Sequence, residues 1–264
     1  MKPLAISVLA FRDDQEAAVL PLLARHGIRG LETAPSRVNA ASAYRLHWQQ
    51  HGITLCAMQS LLYGAPPCAL FETDALRQQM LDNVQATCAL AQQLGIRHLV
   101  FGSNGQRRRA DMPYETAFSL AVPFFKRAAD IAARYNTCLC LEAVPVEHGC
   151  DFIISTREAA DLVHAVNHPA FALHFDVGSC ALALEDPMEI TRRFGALIRH
   201  CHVSELQLRP IGQQPADAHS IDHERMAAAL HAIDYQGWVS LEMFATDKPD
   251  ALDHALLTLA RHYG

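Results

Sequence analysis

The feature that most constrains this chain is a repeat in which short apolar runs alternate with helical stretches. Eight runs read as strands, over residues 4–10, 30–35, 54–60, 98–103, 138–144, 170–177, 200–205 and 238–243. Helix start and stop signals fill the gaps. Asp13 and Asp14 open a helix that ends at His26-Gly27, and Asn39 opens one that ends at His51-Gly52. Thr73-Asp74 begins a long helix closed by Gly95, and residues 113–135 form another, stopped at Asn136. Ser155-Thr156 caps residues 157–166, Asp186-Pro187 starts a helix through Ile198, Asp222 caps residues 223–233, and Pro249-Asp250 starts the last. Strict alternation predicts a parallel sheet, and near-continuous apolar strands predict burial on both faces. Eight units in 264 residues fit one α/β domain over residues 1–264, a closed (β/α)8 TIM barrel. An open dinucleotide-binding sheet would place a glycine-rich turn after the first strand. The chain there reads Phe11-Arg12-Asp13-Asp14-Gln15.

Composition narrows the function classes. The 22 basic and 28 acidic side chains give a formal charge of −6, so no polybasic surface calls for nucleic acid or an anionic membrane. No apolar run approaches the roughly 18 residues of a membrane span. The opening MKPLAISVLAFRDDQEAA lacks a signal-peptide core and cleavage site. The eight Cys include no C-x-x-C pair and mostly sit in apolar runs, as reduced thiols in a cytoplasmic protein do.

Four late strands break the apolar pattern near their C-terminal ends, where barrels carry their chemistry. Glu142 lies in CLCLEAV, Asp176 in ALHFDV, His202 in HCHVSE and Glu242 in WVSLEM. The gaps are 34, 26 and 40 residues, about one strand–helix unit each, so the four groups can converge. Three carboxylates so placed would repel one another, and a divalent cation removes that penalty. The donors are oxygen-rich and hard, suited to Mn2+ first, with Mg2+, Co2+ or Zn2+ as alternatives. His200 rivals His202, because alternation puts both on one face of the strand, but His202 is nearer the C-terminal end.

In LCLEAVP, LHFDVGS, HCHVSE and YQGWVSLEM the chain resembles the xylose isomerase-like TIM-barrel family of sugar and sugar-phosphate isomerases and epimerases. The resemblance covers nearly the whole chain as a fold and is specific in the second half. It implies that Glu142, Asp176, His202 and Glu242 hold one divalent metal ion. It also implies that Glu142 and Glu242 are the acid/base pair of a proton transfer through an enediolate, on a sugar, keto-sugar or sugar phosphate. Dimers are common in the family, so a homodimer is possible. The substrate positions depart from the pattern. A His expected three residues after Asp176 is Ser179, and an Arg expected six after His202 is Leu208, with Arg209 one step late. Ala143 and Val144 stand where Asn often follows the strand-5 Glu.

Further substrate contacts are expected from Glu147 or His148, in the loop after strand 5, and from Gln59, which ends strand 3 as Glu32 ends strand 2. Arg107, in the Gly102–Arg109 segment, is expected to meet a phosphate or carboxylate through charge. The long loop after strand 7 holds Asp217 and His219, a D-x-H pair of the kind endonuclease IV uses for extra zinc. That enzyme also needs His at the ends of strands 3 and 4, where this chain reads MQSLLYG and VFGSNG. Three alternatives stay open: dehydration of a keto-sugar or inosose at the same site, a zinc-cluster phosphodiester hydrolase, and a barrel that binds sugar without turnover.

Overall fold

The computed structural model describes residues 2–212 and 221–264. Eight strands run in chain order around a closed barrel: β1 (Leu4–Ser7), β2 (Gly30–Thr33), β3 (Thr54–Met58), β4 (His98–Phe101), β5 (Cys138–Leu141), β6 (Phe171–Asp176), β7 (Ile198–Val203) and β8 (Val239–Leu241). Every neighbouring pair is parallel, and β8 closes on β1 with Leu4 opposite Val239. The surrounding helices are α1 (Glu16–Arg25), α2 (Ala41–Gln50), α3 (Asp74–Leu94), α4 (Tyr114–Arg134), α5 (Thr156–Val166), α6 (Val177–Leu182), α7 (Pro187–Phe194), α8 (His223–Ala232) and α9 (Pro249–Tyr263). No helix of the described residues is long and apolar enough to cross a membrane.

Several boundaries move from their expected places, each for a local reason. The first strand stops at Ser7, whose hydroxyl accepts from the Leu9 N–H and starts a 3-10 turn over Val8–Ala10. Asn39 does not cap α2; the cap position is Ala40, which makes no side-chain bond. The helix expected to run through Ile198 ends at Phe194, and a 3-10 turn leads into β7 two residues early. The short helix α6, absent from the sequence reading, begins directly at Asp176.

The pleat sorts each strand's side chains into two layers. Leu31, Leu139, Leu141, Leu173, Phe175, Val203 and Leu241 are fully buried between sheet and helices. Alternate positions face the barrel axis, where bulky branched residues usually sit. Here they are Glu32, Cys140, His174, His200, His202 and Ser240, all buried. A barrel lined this way places polar groups where water is excluded and every unpaired atom is costly. All eight Cys are free.

Candidate metal centre

Glu142 follows β5, Asp176 ends β6, His202 lies in β7 and Glu242 follows β8. One donor atom from each lies within 4.8 Å of the others. His202 Nδ1 stands 3.3 Å from Glu242 Oε2 and 4.0 Å from Glu142 Oε1. Ligands about 2.0–2.2 Å from one ion stand roughly 3–4.4 Å apart, so small side-chain movements bring this set onto a cation. His202 is fully buried and its Nδ1 has no hydrogen-bond partner. An imidazole nitrogen that faces carboxylates and has no other partner is a donor suited to a shared cation. The residues therefore fit a divalent cation.

Neighbouring elements aim these side chains. Asp176 caps α6: its Oδ1 accepts from the Ser179 N–H at 2.6 Å and its Oδ2 from the Ser204 hydroxyl at 2.8 Å. Ser204 in turn accepts from the Gly178 N–H at 3.2 Å. Glu32 of β2 supports His202 from behind, with Oε2 2.8 Å from Nε2. Two glycines make room. A Cβ at Gly102 would collide with the Glu142 carboxylate, and one at Gly178 with the Ser204 hydroxyl.

Charge in this pocket is strained by burial. Burial, and then Glu242, push the Glu142 carboxyl up to about 8. Asp176 is raised by the same two causes in the same order. Burial opposes charge on His202, but Glu32 and Glu242 outweigh it and hold the imidazole well above its ordinary value. Burial likewise opposes a charged Glu32, and His202 and His200 outweigh it and keep that carboxyl well below the usual range. A divalent ion would relieve the carboxylate repulsion without any group taking a proton.

The remaining expected residues are scattered by the fold. A cleft of about 190 Å3 opens over the ligands, and Ser103, Asn104, His148, Ser179, Glu205, Leu206 and Leu208 help to line it. Glu147 is exposed in the same 3-10 turn as His148. Arg107, expected to meet an anion, is fully buried and donates to the carbonyls of Gly102, Glu142, Phe152 and Ile153. Its guanidinium ties the loops after β4 and β5 together and fixes the backbone of Glu142. Gln59 is buried and donates to Ser7. Arg209 is exposed and bonds Gln207 at 2.5 Å. Asp217 and His219 lie outside the described residues. His200, the rival of His202, sits one layer deeper, opposite His174.

Sequence reasoning passed over Ser204 and Glu205 and gave Glu32 no firm role. Ser204 and Glu205 are the last letters of HCHVSE, so nearness to a ligand strand was the available signal. Glu32 carried a second signal, a carboxylate in an otherwise apolar strand.

Fold and site together define a (β/α)8 barrel whose mouth gathers an imidazole and three carboxylates able to hold a metal ion. The model of the xylose isomerase-like TIM-barrel family matches residues 20–262, and the chain belongs to that family. Among solved structures it is similar to a D-psicose 3-epimerase from Clostridium cellulolyticum H10, seen with D-tagatose, at TM-score 0.79 and 16% identity over 100% of this chain and 99% of that one. The 3-keto-D-glucoside 4-epimerase YcjR from E. coli gives TM-score 0.81 and 14% identity over 99% of each chain. A family 2 AP endonuclease from Brucella melitensis gives TM-score 0.78 and 19% identity, again over 99% of each. At these identities the likeness establishes the fold. No curated protein sequence matches the chain.

Proposed function

We propose that the chain is a divalent-metal-dependent isomerase or epimerase of a neutral keto-sugar, with Glu142 and Glu242 as the acid/base pair. The carrying observation is that these two carboxylates flank a shared donor set, on strands three apart in the barrel, with His202 Nδ1 between them. Glu142, Asp176, His202 and Glu242 would hold a divalent cation, which would supply Lewis-acid stabilisation of the negative charge that develops on the sugar as a proton leaves carbon. One glutamate removes that proton. The other delivers a proton to the opposite face, which epimerises the carbon, or the first returns it to the adjacent carbon while the hydroxyl proton shifts to the former carbonyl oxygen, which isomerises the sugar. Asp176, fixed at both oxygens, positions charge and takes no part in proton transfer. Mn2+ suits the oxygen-rich donor set, and the sugar epimerases among the similar structures support the substrate class.

The lining favours a sugar without phosphate. Among the described residues no Lys or Arg lines the cleft, and residues 213–220, QQPADAHS, contain neither. Arg107 is occupied by carbonyls, and Glu205 adds a fourth carboxylate to the wall. A phosphate dianion there would meet carboxylate repulsion and no Lys or Arg partner among the described residues. The test is to incubate neutral ketoses and their phosphates with the Mn2+-loaded protein in D2O and follow deuterium at the carbon next to the carbonyl by NMR. Neutral ketoses are expected to exchange, and Glu142→Gln or Glu242→Gln to slow exchange by about 10^2-fold or more. Absence of exchange in every sugar would overturn the reading.

A further inference from the structure

The metal ligands account for one end of a bound sugar. The positions at which the family's His and Arg were expected to grip the other end are Ser179 and Leu208, and Leu208 offers the cleft no hydrogen bond. One charged wall residue outside the metal set is held by side chains from two other elements. Glu205, just past β7, is 5% exposed and lines the cleft. Its Oε1 lies 3.1 Å from His223 Nε2, at the start of α8. His223 Nδ1 lies 2.8 Å from the Tyr263 hydroxyl, at the end of α9. All three residues are buried.

Donor and acceptor chemistry fixes the direction of this chain. A carboxylate only accepts, so His223 donates from Nε2, and in the neutral ring Nδ1 accepts from the Tyr263 O–H. Burial holds the Tyr263 hydroxyl well above its ordinary value, so it stays a donor. The relay locks Oε1 of Glu205 and holds the carboxylate in the wall of the cleft. Such a group suits adjacent hydroxyls, each donating a charge-assisted hydrogen bond to a fixed acceptor. It disfavours an anionic substituent at the same place.

We propose that Glu205 is the substrate-recognition carboxylate of this cleft, reading hydroxyl groups of a neutral sugar remote from the metal, and that His223 and Tyr263 are its positioning residues. This rests on the keto-sugar reading above. It adds a specificity element that the metal set does not contain.

The experiment compares the Mn2+-loaded wild type with Glu205→Gln and Tyr263→Phe, on neutral ketohexoses and their mono-deoxy analogues. Exchange kinetics and sugar binding by ligand-observed NMR are both measured. Glu205→Gln is expected to raise KM and the sugar Kd by about 10- to 100-fold, with kcat and Mn2+ affinity nearly unchanged. The wild type is expected to reject the analogue that lacks the recognised hydroxyl, and Glu205→Gln to lose that discrimination. Tyr263→Phe, which removes a single oxygen, is expected to raise KM several-fold and to leave Mn2+ affinity alone. A merely structural relay would lower stability without changing discrimination among deoxy sugars. Unaltered sugar binding and discrimination in both variants would overturn the proposal while the exchange chemistry stood. A wild type that binds sugars but exchanges no deuterium would overturn the isomerase reading, and Glu205 would still be judged by its effect on binding. A wild type that binds no sugar overturns both.

Discussion

The two ring nitrogens of His202 have different partners. Nε2 faces the buried Glu32 at 2.8 Å, and Nδ1 faces Glu142 and Glu242. With Glu32 ionised, Nε2 keeps its proton and donates, so the proton that His202 gives up to a bound ion is the one on Nδ1. Glu32→Gln is therefore expected to weaken Mn2+ binding by about 10- to 100-fold without unfolding the barrel, as read by calorimetric titration. The pH dependence follows from Glu142. Its carboxyl, raised to about 8, holds a proton in the ion-free protein at neutrality. Mn2+ must displace that proton and the one that the raised His202 imidazole carries, so affinity is expected to rise with pH through about 8. Stability of the ion-free protein runs the opposite way. The folded state binds this proton more tightly than the unfolded chain, so stability declines as pH rises from the ordinary carboxyl range to about 8. Glu142→Gln should flatten both dependences, as measured by titration and by denaturant unfolding across that range.

Among the helices, the caps were legible where a side chain bonds the first turn. Thr73, Ser155, Asp186 and Asp222 each accept from an N–H in the turn they start. Helix α2 has no such bond, because Ala40 occupies an extended cap position. Ala40→Ser is expected to stabilise the protein by about 0.5–1 kcal/mol in denaturant unfolding. Helix α6 was invisible, being six residues of mostly small side chains with no room for a periodic pattern. It matters out of proportion to its length, because its Ser179 N–H holds Asp176 in place. Arg107 was misread for a related reason. A run of arginines in a glycine-containing loop has the composition of an anion site, and only the return of the β5 loop gives this guanidinium carbonyls to bond.

For the whole molecule, closing the barrel is what makes Glu142, Asp176, His202 and Glu242 one centre. Ion binding should thus stabilise the closed barrel as a unit. At a hundred times its Kd, Mn2+ is expected to add about 2.7 kcal/mol, raising Tm by roughly 5–10 °C. Chelator should reverse the shift, and the paired substitution Glu142→Gln/Glu242→Gln should abolish it in a thermal melt. The sequence by itself determined the eight-fold alternation, the strands that carry the four candidate metal-binding side chains and the face on which they lie. These depend on period and spacing, which are local properties of a chain. Only the tertiary structure decided which polar residues meet: Glu32 behind His202, Ser204 on Asp176, Arg107 on four carbonyls, and Glu205 tied to α8 and α9. Those partners lie up to 170 residues apart in sequence. No periodicity encodes their distance, because it is set by how the strands are arranged around the barrel and how its loops fold back over the mouth.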